Sequence, residues 1–91
     1  MIHTLYYMSK KDEIKKCSDD GNCVILLYEL RGCPHCEDMK KELEGDRIDY
    51  ILRRATKELA RETGIPTAPQ LHVISKDDID IITSKKELKT F

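Results

Sequence analysis

Cys23-Val24-Ile25-Leu26-Leu27-Tyr28 leads, through Glu29-Leu30, into Arg31-Gly32-Cys33-Pro34-His35-Cys36. The first six residues form an apolar run of strand length, rich in residue types that suit a buried strand. From Pro34 to Glu44 the pattern turns helical and stops at Gly45. The two cysteines of the C-x-x-C therefore stand where a buried strand hands over to a helix. Cys33 falls at the N-cap and Pro34 at the first helical position, where a missing N–H costs nothing and φ already suits the helix.

That placement dictates a chemistry. The first helical turn carries unsatisfied N–H groups and the positive end of the macrodipole, which favour a thiolate over a thiol. Cys36 lies one turn on, within reach of a mixed disulfide formed by Cys33. His35 and Arg31 add positive charge near the attacking sulfur. Pro34, His35 and Arg31 are thus the candidates for tuning the thiol. The competing reading is zinc, since C-x-x-C is also half of a metal site and the chain holds two further cysteines, Cys17 and Cys23. Their spacing is longer than the usual ligand pair, so no metal site is expected. Cys17 reads most simply as a small apolar residue on a helix stripe.

At 91 residues the chain is expected to form one domain over residues 1–91. Its net charge of -1, with both signs interspersed, gives no footprint for nucleic acid or a membrane surface. The first eight residues lack the basic start and cleavage pattern of a secretory leader. The expectation is a cytoplasmic monomer, in which C-x-x-C is more often catalytic than structural.

In chain order, Ile2 to Tyr7 is expected to form a short strand, with Leu5 and Tyr7 on one side. Ser9 opens a helix with Asp12 three residues later, running to about Ser18 with Met8, Ile14 and Cys17 as its apolar stripe. Cys36, Met39 and Leu43 recur at helical spacing on the next helix. Arg47 to Leu52 reads as a strand, and Thr56 caps a helix that ends at Gly64. Strand, helix and strand of these lengths make a right-handed parallel crossover. Ile79 to Ile82 pairs antiparallel with the strand before it, and Ser84 to Glu87 reads as a capping box for a last short helix closed by Leu88 and Phe91. His3 and His72 read as structural.

Between these elements lies Gly64-Ile65-Pro66-Thr67-Ala68-Pro69-Gln70-Leu71. Two prolines three apart shape the loop ahead of an apolar strand. A proline just before a strand can hold a cis bond and leave the preceding backbone free to pair with an extended peptide; an ordinary trans turn is the alternative.

Cys33-Pro34-His35-Cys36 after a buried strand, with Thr67-Ala68-Pro69-Gln70 before a later one, resembles the glutaredoxins and the wider thioredoxin superfamily, from about Val24 to the C-terminus. The resemblance implies an α/β thioredoxin fold: a mixed sheet of about four strands flanked by helices, with an extra N-terminal strand and helix. It implies that Pro69 is cis and packs beside Cys33, that Thr67 and Ala68 help bind substrate, that Cys33 is the nucleophile and that Cys36 resolves. It also implies glutathione as electron donor, disulfide-containing client proteins, and ribonucleotide reductase as one such client.

The branch within the superfamily stays open. The glycine pair and acid that help hold glutathione are replaced here by Thr83-Ser84-Lys85, whose N–H groups at a helix start can still meet a carboxylate. Leu27 stands where thioredoxins hold a buried acid, whereas the N-terminal extension resembles thioredoxin. A thioredoxin-type reductase fed by a flavin reductase is the second reading, and a zinc- or redox-switch binding module the third. Pro-His between the cysteines also resembles periplasmic disulfide oxidases, which implies a stabilised thiolate at Cys33.

Overall fold

The computed structural model describes residues 9–90. The strand expected over Ile2–Tyr7, together with His3, Met8 and Phe91, lies outside the described residues. Helix α1 (Lys10–Asp19) is followed by β1 (Cys23–Glu29), α2 (Pro34–Gly45), β2 (Ile51–Arg54), α3 (Lys57–Thr63), β3 (Gln70–Ser75), β4 (Ile79–Ile82) and α4 (Lys85–Leu88). The sheet order is β2-β1-β3-β4, with β2 parallel to β1 and the other pairings antiparallel. This is an α/β fold with a four-stranded mixed sheet flanked by helices, as in thioredoxin.

Register decides what is buried. Ile25 pairs with Val73, and Leu27 with Leu71, which pairs in turn with Ile82, so these side chains share one face of the sheet. Ile14, Met39, Leu43, Ile48 and Leu88 cover that face and complete the core. Removing this apolar surface from water is the main stabilising term. Lys11 bridges α1 to α2 through Glu42 at 3.0 Å and Asp46 at 3.2 Å, and Lys89 reaches Glu42 at 3.3 Å. These surface pairs align the helices more than they stabilise them.

Helix ends follow local chemistry closely. Ser9 and Asp12 make both bonds of a capping box, Thr56 accepts from the Leu59 N–H at 3.1 Å, and Gly64 ends α3 in the left-handed region at φ 72°. Three expectations fail in detail, although α2 does end at Gly45. Gly45 itself stays helical, and Arg47 takes the left-handed position at φ 58°. Its N–H bonds to Glu44 O at 3.1 Å and that of Ile48 to Leu43 O at 2.9 Å, a Schellman closure that buries Ile48 against Leu43. Because Arg47 and Ile48 are consumed in this closure, β2 starts at Ile51 rather than Arg47.

The capping box at Ser84 is only half made. Ser84 Oγ accepts from the Glu87 N–H at 3.3 Å, but the Glu87 carboxylate accepts from the Thr83 hydroxyl at 3.0 Å. Cys17 is not a lone apolar residue either. It is disulfide-bonded to Cys23, with their Cα atoms 5.4 Å apart, tying the end of α1 to the start of β1. The turn through Gly21, at φ 74°, brings the two together. Closing so short a loop stabilises by about 2 kcal/mol in the chain-entropy picture.

Candidate functional site

β1 delivers the chain to the site, and α2 starts there. Gly32, at φ 74°, turns the backbone out of the strand, and Cys33 becomes the N-cap of α2 with Pro34 just inside. Cys33 Sγ accepts from the Cys36 N–H at 3.2 Å, so a sulfur takes the place usually held by a serine or aspartate oxygen. An N–H aimed at sulfur favours the thiolate whenever the pair is reduced. Cys33 and Cys36 are disulfide-bonded in this structure, with Cα atoms 5.2 Å apart. Their surroundings differ: Cys36 is fully buried beneath the helix, whereas Cys33 is half-buried at the surface.

The second loop converges on the same sulfur. The Ala68–Pro69 peptide is cis, Pro69 is buried, and Ala68 O lies 3.9 Å from Cys33 Sγ. Thr67 and Ala68 flank that contact, Thr67 exposed and Ala68 half-buried. Arg31, Pro34 and His35 are exposed around the sulfur. Thr83, the N-cap Ser84 and Lys85 lead into α4, where the Glu87 carboxylate already sits on the Thr83 hydroxyl. A second carboxylate arriving there meets like charge.

What holds the cis-proline loop in place is a residue to which sequence reasoning gave no role. Gln70, only 1% exposed, donates from Nε2 to Ile65 O at 2.9 Å and to Thr67 O at 3.3 Å. Its Oε1 lies 3.0 Å from His72 Nε2. Since Oε1 can only accept, His72 must carry its hydrogen on Nε2. The imidazole is buried against Tyr28, ring centroids 4.7 Å apart, and burial pushes its pKa below the usual histidine value. Gln70 and His72 sit two apart on β3, which was the only available signal. The bond between them depends on tertiary burial.

On the opposite flank, Lys40 bridges Glu29 at 2.6 Å and Glu37 at 3.0 Å. Those two bonds, Glu29 first, hold the Lys40 pKa above the usual lysine value. Among the described residues no group of three or more His, Cys, Asp or Glu side chains is arranged to hold a metal ion. No described helix is long and apolar enough to cross a membrane.

The family model described as Glutaredoxin matches residues 25–77, more than half of the chain. The chain belongs to the glutaredoxin family. This matched span holds both the Cys33–Cys36 pair and the cis-proline loop. No curated protein and no solved structure gave a significant match to this glutaredoxin. Membership makes it a thiol–disulfide oxidoreductase, and the paired cysteines at the start of α2 are its redox-active couple.

Proposed function

We propose that this glutaredoxin reduces protein disulfides and glutathione mixed disulfides by a dithiol route. One observation carries the assignment of roles: Cys33 is reachable and accepts the Cys36 N–H, while Cys36 is fully buried. The Cys33 thiolate attacks one sulfur of the substrate disulfide, forming a mixed disulfide and releasing the other sulfur as a thiolate. Cys36 then loses its proton, attacks Cys33 Sγ and releases the second thiolate. Two electrons have passed to the substrate, and the protein holds the Cys33–Cys36 disulfide. Two glutathione thiols return it to the dithiol, leaving glutathione disulfide.

Thr67, Ala68 and Pro69 form the face against which the substrate backbone lies, and Arg31, Pro34 and His35 favour the thiolate by charge and helix geometry. We leave Thr83, Ser84 and Lys85 out of the proposed glutathione site because of the Glu87 carboxylate. Ribonucleotide reductase is a client by family resemblance, the compartment is the cytoplasm and the working form a monomer. In a cytoplasm the Cys17–Cys23 bond persists only if it is harder to reduce than the glutathione pool. The second reading, a thioredoxin-type reductase fed by a flavin reductase, is favoured by α1 preceding β1.

The test is turnover of bis(2-hydroxyethyl) disulfide by wild type, Cys33→Ser and Cys36→Ser, coupled in turn to glutathione with its reductase and to thioredoxin reductase. Cys33→Ser should be inactive, and Cys36→Ser should accumulate the mixed disulfide on Cys33. Activity surviving in Cys33→Ser refutes the assignment of the nucleophile. Activity with thioredoxin reductase alone refutes glutathione as donor.

A further inference from the structure

Beside the active-site turn, on the β2 side, lies a cleft of about 370 Å³ that shares only Arg31 with the redox chemistry proposed above. Arg31, Arg53 and Arg54 line it together with Glu29, Glu37 and the apolar Leu52. The carboxylates are already engaged, since Lys40 bridges both of them. None of the three arginines forms an ion pair with a described residue, and while other cations such as Lys41, Lys57, Arg61 and Lys86 are likewise unpaired there, none of those lines this cleft. Three arginines without a carboxylate partner among the described residues thus meet in one cleft next to the active-site turn.

One further observation says what kind of partner fits. Leu30 and Leu52 are exposed at 47% and 45% at the rim of the cleft, offering apolar contact between the guanidinium groups. Planar guanidinium forks favour carboxylates bidentately.

We propose that this cleft docks an acidic segment of the client protein, with an aliphatic side chain among its carboxylates, and so selects clients by charge. This rests on the disulfide reductase reading and names its substrate class. Docking there holds the client disulfide within reach of Cys33 and steers acidic clients toward the site.

The test is fluorescence anisotropy of a labelled cysteine-free peptide rich in Glu, Asp and Leu, against a counterpart with lysine for each acid, both at low ionic strength. Wild type should bind the acidic peptide at least about tenfold more tightly, with the preference shrinking as salt is added. Arg53→Gln/Arg54→Gln should weaken that binding about fivefold, and Arg53→Glu/Arg54→Glu should reverse the preference. Equal affinity of the two peptides for wild type, or an unchanged acidic-peptide affinity in both variants, overturns the proposal. Turnover of uncharged bis(2-hydroxyethyl) disulfide, measured alongside, should stay within about twofold of wild type in both variants. Its absence in wild type is a failure of the reductase reading, whereas the peptide affinities report on the cleft alone.

Discussion

Replacing Gln70 with leucine should loosen the cis-proline loop and destabilise the whole protein, although Gln70 touches neither cysteine. The substitution keeps roughly the same volume and removes three hydrogen bonds, two to Ile65 O and Thr67 O and one from His72 Nε2. Each neutral bond contributes about 1 kcal/mol net, and a buried donor left without a partner costs about 1–3 kcal/mol. Ile65 is half-buried and Thr67 exposed, so their carbonyls recover some hydration from water. His72 is only 7% exposed and recovers little. The expected loss is about 2–3 kcal/mol, read as a shift of about 2 M in the urea midpoint at a typical m-value for this size.

A double-mutant cycle separates this account from simple loss of packing. In Gln70→Leu/His72→Phe the stranded imidazole N–H is gone, so the double variant should be more stable than the sum of the single costs predicts by about 1 kcal/mol. In activity assays Gln70→Leu should raise KM more than it lowers kcat, because the loop that receives substrate is displaced while the cysteines are not. A cost below about 0.5 kcal/mol, or strictly additive single costs, refutes the reasoning.

Two other perturbations follow from the same structure. Burial lowers the His72 pKa, so the unfolded chain binds more protons than the folded one below the ordinary histidine value. The stability due to neutral His72 is complete above the unfolded pKa of about 6.5 and is lost as pH falls toward the lowered folded value. Urea midpoints measured from neutral to mildly acidic pH should fall in wild type and fall less in His72→Phe; parallel curves would exclude His72 as the cause. Arg47 occupies a left-handed position where a side chain costs about 1 kcal/mol, so Arg47→Gly should stabilise by a few tenths to about 1 kcal/mol despite glycine's greater unfolded-state freedom. Thermal or urea unfolding would show it, and a destabilised variant would mean that Arg47 makes a contact worth more than its strain.

Sequence sufficed where the cause is local. The caps at Ser9, Cys33 and Thr56, the proline at the start of α2 and the glycine after α3 act within a few residues, and each stands where its chemistry places it. The apolar run of β1 and the spacing of Cys36, Met39 and Leu43 likewise announce a buried strand and the inner face of a helix. The late start of β2 and the left-handed residue two positions beyond Gly45 share one origin. The intrinsic preference for glycine in the left-handed position was overridden by the burial of Ile48 against Leu43, which shifts the closure by two residues. Cys17 misled for a related reason, since a cysteine at helical spacing looks the same whether it packs or bonds to a partner beyond a turn.

The residue types and spacing of Cys33-Pro34-His35-Cys36 and Thr67-Ala68-Pro69 determined the fold and the redox couple, because strand ends, helix starts and proline turns are written in short windows. Only the tertiary structure brought Ala68 O to 3.9 Å from Cys33 Sγ, buried Gln70 beneath the loop it holds and left Arg31, Arg53 and Arg54 together beside the site. Those juxtapositions join residues from separate strands and loops, and they depend on sheet register and on which charges find partners. Both are properties of the packed chain as a whole.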